Sequence, residues 1–224
     1  MKNKKVAVIA GTTVDTQMGV DILKENGFSE VLFLPISKNC NEQNAMQYFS
    51  KDELYKVFVH QCEVALAHHI KHIFLYCNSL AVSVDWKSVA QDLNLTIITP
   101  LATYERIPKN IKNLALICAN AVAAFNIDKI LCKHNPELKT ISVGNLSITE
   151  LIEEKLPPAE IIEKLNLHAF TAYLENIKMD TYKLDGILLA CTHFPYLKKE
   201  IQKSTTLPII DPTENMIAEL KKAF

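Results

Sequence analysis

Along the 224-residue chain, short unbroken apolar runs alternate with longer stretches whose apolar positions recur every three or four residues. The short runs fall at 5–10 (KVAVIA), 31–34 (VLFL), 73–76 (IFLY), 95–98 (LTII), 114–118 (LALIC), 139–143 (KTISV), 186–190 (GILLA) and 207–210 (LPII). Runs of this length that are continuous rather than alternating suit parallel strands buried on both faces. In 53–70, Leu54, Val57, Phe58, Ala65, Leu66 and Ile70 keep a 3.6-residue period among charged positions, the pattern of a half-buried helix. Similar patterns predict helices near 16–26, 80–93, 121–135, 158–177, 194–203 and 213–223. The order predicts an α/β protein, its parallel sheets covered by helices.

No low-complexity linker divides the chain. The stretch "TPLATYERIPKN" (99–110) carries two prolines and no clear period, and is the expected crossing point between two halves. Composition narrows the function more than the fold. Hydrophobic residues make up 49% of the chain, ample for a core, while 24 basic and 25 acidic residues nearly cancel. No strong field draws such a chain to nucleic acid or to a membrane, and Arg106 is the single arginine. The amino terminus "MKNKKVAVIAG" has the charge of a secretory leader, but its apolar run is too short and ends at Gly11 as a first α/β strand would. A cytoplasmic protein acting on a small molecule is expected, its cysteines reduced. None of the six cysteines forms a CxxC pair, so neither a metal site nor a redox disulfide is expected. Cys62, Cys118 and Cys132 sit among apolar neighbours and read as packing.

Two cysteines read differently. "IFLYCNSLA" (73–81) and "ILLACTHFP" (187–195) are near-copies: an apolar run, a cysteine, then a small polar pair. Each places a thiol at the carboxyl end of a strand, the edge where open α/β sheets bind ligands. A helix start beside it offers backbone N–H groups to a carboxylate and favours thiolate. Two thiols on opposite faces of a bound amino acid can remove the α-proton from one side and return one from the other. The bland alternative for each cysteine is packing.

At these residues the chain resembles the aspartate/glutamate racemase superfamily. "CNSLA" (77–81) is similar to its first cysteine motif, and "LACTHFPYL" (189–197) to the second motif of glutamate racemases. "VAVIAGTTVDTQMG" (6–19) takes the place of the opening strand and Asp-Ser glycine loop. "LNLTIITPL" (93–101), "ELIEEK" (150–155) and "LPIIDPTENMIAEL" (207–220) resemble later family segments in order. The resemblance implies two pseudosymmetric α/β domains with the active site in the interdomain cleft, the first built from 1–98 plus 208–224 and the second from 99–207. It implies Cys77 and Cys191 as the catalytic acid/bases, with Asp15 assisting near Cys77 and Glu153 and His193 near Cys191. It implies Thr16, Asn78, Ser79 and Thr192 as substrate-binding residues, no cofactor, an amino-acid substrate and, as often in the family, a homodimer.

The chain also departs from that pattern. The loop "GTTVDTQMG" lacks the paired glycines after Asp-Ser, and "PISKNCNEQN" (35–44) replaces an Asp-rich loop ending in Pro-Tyr-Gly. Aspartate racemases usually carry an acidic residue where His193 stands. Gln17, Ser37 or Lys38 are candidates for the missing side-chain contact, and Arg106 for pairing with a distal carboxylate. The reading is thus a racemase for aspartate or glutamate. The alternatives are a hydantoin racemase or maleate-isomerase type of two-cysteine enzyme, or a catalytically idle paralogue that binds an amino acid.

Overall fold

The computed structural model describes residues 4–224. Residues 1–3, the start of the basic amino-terminal segment, lie outside the described residues. Two compact units are present, one comprising the chain up to Thr103 together with Thr213–Phe224, the other Tyr104–Pro212.

The first unit opens with β1 (Lys5–Ala10), α1 (Thr13–Glu25), β2 (Glu30–Pro35), α2 (Cys40–Ala45) and α3 (Lys51–Ala67). It continues through β3 (His72–Tyr76), α4 (Asn78–Ser83), α5 (Trp86–Asp92), β4 (Thr96–Ile98) and α6 (Leu101–Tyr104), whose last residue begins the second unit. All four strands are parallel, in the order β2-β1-β3-β4. Parallel strands need right-handed crossovers. With this order, the β1-to-β2 and β2-to-β3 connections run in opposite directions, so α1 and α3 cover opposite faces. Central β1 and β3 are almost wholly buried, whereas edge β2 shows exposed positions. Val6, Val8, Ala10, Phe74 and Tyr76 form one core cluster with Val20 and Leu23 of α1. α3 buries Leu54, Phe58, Cys62 and Ala65, one stripe of its period.

The second unit repeats the plan with β5 (Asn113–Cys118), α7 (Ala121–His134), β6 (Lys139–Gly144), α8 (Leu146–Glu153), α9 (Pro158–Lys164) and α10 (Leu167–Glu175). Then follow β7 (Gly186–Ala190), α11 (Lys198–Lys203) and β8 (Ile209–Ile210). Its sheet order is β6-β5-β7-β8, again all parallel. The chain ends in α12 (Thr213–Lys222), whose Met216 and Leu220 join the core cluster of the first unit. His72 Nε2 is 3.2 Å from the Ala223 carbonyl oxygen, and its ring stacks on Phe224.

Several boundaries differ from the sequence expectation. The 80–93 helix is two, α4 and α5, because Val84 turns extended before Asp85 caps the second. The 158–177 helix divides at Asn166, which adopts a left-handed conformation at φ 51°. Residues 194–203 begin as a 3-10 turn over Phe194–Leu197. Residues 208–212, grouped with the first half on sequence grounds, stay with the second, because Ile187 N–H donates to Pro208 O and β8 pairs with β7. The short helices α2, α6 and α8 fall outside the predicted set, being too brief for a period to show.

At Gly144 the end of β6 meets the start of α7. A Cβ there would lie 2.2 Å from Asn120 C and 2.4 Å from Ala121 N. Backbone cannot yield as a side chain can. Gly144→Ala is therefore expected to destabilise the protein by about 1–3 kcal/mol, read as a lower urea midpoint at unchanged m-value.

Candidate active site

In each sheet, the chain leaves the first central strand toward one side and returns to the second from the other. Such a reversal opens a crevice beyond the strands' carboxyl ends. In the first unit the crevice is flanked by Gly11–Asp15 after β1 and by Cys77 after β3. In the second it is flanked by Cys118–Asn120 after β5 and by Cys191 after β7.

Gly11 and Thr12 turn the chain from β1 into α1, and Thr12 caps the helix. Asp15 lies fully buried in its first turn. One carboxylate oxygen accepts Gly11 N–H at 3.2 Å, the other Thr12 N–H at 2.7 Å and Thr12 Oγ1–H at 3.2 Å. These donors, with the positive end of α1, neutralise a charge that burial would otherwise oppose. Thr16, equally buried, donates its hydroxyl to Thr12 O.

Cys77 is the N-cap of α4 and only 2% exposed. Its sulfur accepts Leu80 N–H at 3.4 Å and a side-chain N–H from Gln43 of α2 at 3.1 Å. Donors aimed at sulfur stabilise negative charge on it. Asn78 is buried beside it in the first turn of α4, and Ser79, half-buried, gives its carbonyl to Ser83.

Cys191 follows the fully buried β7. It does not cap an α-helix, as the sequence suggested; Phe194 N–H donates to Cys191 O and the 3-10 turn follows. What stands by this thiol is a histidine. Cys191 Sγ is 3.7 Å from His193 Nδ1, and His193 Nε2 is 3.1 Å from Glu153 Oε1. His193 is 1% exposed and Glu153, at the end of α8, has an 11% exposed side chain. With a proton on Nε2 donated to the carboxylate, Nδ1 is the acceptor for the thiol proton. Transfer leaves a thiolate beside an imidazolium that Glu153 stabilises. The structure thus brings Cys191, His193 and Glu153 into one chain, with Thr192 buried between thiol and imidazole in sequence.

Tyr104 is 1% exposed, and burial, with Cys118, Cys191 and Asp211 nearby, raises its phenol well above the ordinary value. Burial pushes Cys118 up to about 12, with Cys191 adding to the effect. Asp211 pairs with Lys198 Nζ at 3.7 Å. Of the loop candidates, Gln17 donates to Asp21 along α1, Ser37 Oγ donates to Gly11 O, and Lys38 N–H donates to Glu42.

Three polar groups escaped the sequence reading. Gln43 lies on a helix too short to show a period. Thr99 after β4 and Thr149 on α8, one turn before Glu153, each bury a hydroxyl oxygen that has no hydrogen-bond partner among the described residues. No spacing signal marks either. Among the described residues no group of His, Cys, Asp and Glu is placed to hold a metal ion, and no helix is long and apolar enough to cross a membrane.

A glutamate racemase of Buchnera aphidicola is 29% identical over 162 residues, covering 69% of this chain and 60% of that protein. The crystal structure of the Francisella tularensis glutamate racemase, a complex with D-glutamate, superposes with a TM-score of 0.72 at 18% identity, over 100% of this chain and 81% of that one. An aspartate racemase homologue from Pyrococcus horikoshii gives 0.63 at 16% identity, over 98% of both chains. In sequence and in fold, the chain is similar to glutamate and aspartate racemases. No family model matches it. These racemase structures share the fold described above, two four-stranded parallel sheets flanked by helices.

Within this fold, the packed thiols Cys62 and Cys118 should differ in reactivity from Cys77 and Cys191. Burial raises both Cys62 and Cys118 to about 12. At pH 8 only about one in 10⁴ of either would be thiolate. Iodoacetamide at pH 8 should leave both unmodified in the native protein and label them after unfolding, as peptide mapping would show. The same shift has a stability consequence. Both thiols hold their protons more tightly folded than unfolded, so stability is unaffected below about pH 8.5 and falls as pH rises from there toward 12.

Proposed function

We propose that the protein is a cofactor-independent racemase of aspartate or glutamate, using Cys77 and Cys191 as its two acid/base groups. The observation that carries the reading is that the second central strand of each sheet ends in a thiol with its own polar support. Gln43 and Leu80 N–H groups serve Cys77, and the His193–Glu153 pair serves Cys191. The likeness to glutamate and aspartate racemases supports it.

The chemistry needs a base on one side of Cα and an acid on the other. One thiolate takes the α-proton, its electron pair passing into the substrate's carboxylate, and the opposite thiol returns a proton to the other face. The two sulfurs then exchange roles for the reverse reaction. Neither step requires more than thiol and thiolate. His193 takes the Cys191 proton through Nδ1 while Glu153 holds the imidazole. Asn78, Ser79, Thr16 and Thr192, with the backbone N–H groups beside each cysteine, hold the amino and carboxylate groups. Asp15 acts near Cys77, its charge also holding the Gly11–Thr12 turn. A cytoplasmic location suits six free cysteines. A homodimer is the assembly proposed, as the sequence resemblance implies.

Incubation with L- or D-aspartate and glutamate in deuterated water tests this directly, since two-base exchange removes the α-proton signal. Cys77→Ser and Cys191→Ser should each lower turnover by at least about 10²–10⁴-fold, because a serine hydroxyl is too weak an acid to supply the base at neutral pH. With β-chloro-substituted analogues, each variant should still eliminate chloride from the enantiomer its remaining thiol faces, so the two should prefer opposite hands. Full racemisation by either variant would refute the assignment.

A further inference from the structure

Gln43 of α2 brings a neutral amide to Cys77. Its segment is pinned to the β1–α1 turn: Ser37 donates both N–H and Oγ–H to Gly11 O, at 3.0 and 2.6 Å, and Thr13 Oγ1 donates to Lys38 O at 3.1 Å. Asn39 then caps α2, accepting Glu42 N–H at 2.9 Å. The result sets Gln43 Nε2 3.1 Å from Cys77 Sγ. The space for its amide is provided by Gly11. A Cβ on Gly11 would lie 1.9 Å from Gln43 Nε2 and 2.3 Å from its Cδ. Three elements of the first unit therefore converge on one N–H···S contact.

We infer that Gln43 is the positioning residue of Cys77, a neutral amide donor that orients the sulfur and stabilises its thiolate without being able to take its proton. This rests on the racemase reading and deepens it. The two thiols are then supported by different chemistry. Cys191 has an imidazole beside it, whereas Cys77 accepts N–H groups from Gln43 and from Leu80 of α4. On the elements meeting here, the Asp15 carboxylate of α1 accepts from Gly11 and Thr12, the Glu42 carboxylate of α2 accepts Lys38 N–H, and Cys40 of α2 is buried. Asp21, Lys24 and Glu25 farther along α1 are exposed, and α4 carries no titratable group. A carboxylate in place of the Gln43 amide would add negative charge against the sulfur.

The test is the pH profile of Cys77 alkylation by iodoacetamide, followed by peptide mass mapping with Cys191 as the internal control. Gln43→Met keeps the length and removes the donor. It should raise the Cys77 midpoint by about one pH unit, slowing alkylation at pH 7 about tenfold, with the Cys191 profile unchanged. Gly11→Ala, on a different element, should displace the amide and shift the midpoint the same way, and Gln43→Glu should shift it further. Unmoved Cys77 midpoints in folded Gln43→Met and Gly11→Ala, judged by wild-type melting curves, would overturn the inference even if the wild type exchanges α-protons normally. A shifted midpoint in a protein that exchanges no α-proton would uphold the Gln43 contact and sink the racemase reading instead.

Discussion

Everything at the candidate site depends on the parallel ladders that set β1 beside β3 and β5 beside β7. Parallel pairing sends both central strands out at the same edge, and the reversal of winding between them keeps helices from covering that edge. Residues distant in sequence become neighbours there. Gly11 and Cys77 share one crevice because Ala10 is in register with Tyr76, and Cys118 lies next to the strand leading to Cys191 because it pairs with Ala190. The strands can do this because they are buried throughout: β5 and β7 have no exposed position. A ladder so enclosed holds its ends to a fixed geometry, which a thiol needs if it is to meet one face of an α-carbon.

The two units share a strand order but not the means of supporting a thiol. In the first, sulfur is an N-cap and an acceptor of neutral N–H groups. In the second, it follows a strand into a 3-10 turn and meets an imidazole backed by a carboxylate. Both arrangements set polar groups against sulfur, and the second adds an imidazole backed by a carboxylate. Asp15 adds a further division of labour. Its carboxylate closes the capping box of α1 and accepts from the turn after β1, so the group proposed to act near Cys77 also holds the fold.

Legibility tracked how local each feature was. The central strands at 5–10, 73–76, 114–118 and 186–190 read correctly because a continuous apolar run is itself the cause of two-sided burial, whereas the edge strands at 31–34 and 139–143 are less buried than their runs predicted. The thiols at 77 and 191 were visible because each ends such a run. His193 lies two residues from its cysteine and could be paired with it by spacing. Glu153 came from resemblance alone, since nothing in a charged helix end says which neighbour it will meet across forty residues. Gln43 was not legible at all. It sits on a six-residue helix in a loop that departs from the family, and its target is thirty-four positions away.

By itself, then, the sequence determined the alternation of strand and helix, the buried character of the central strands, and two thiols at strand ends, because each follows from local apolar pattern. Tertiary structure alone decided that 208–212 stay with the second sheet, that Asn166 breaks a helix, and that Cys118, already read as packing, lies beside Cys191. It also decided which donors reach each sulfur. Those outcomes depend on strand pairing and close approach between distant segments, and no local pattern of residues encodes a distance.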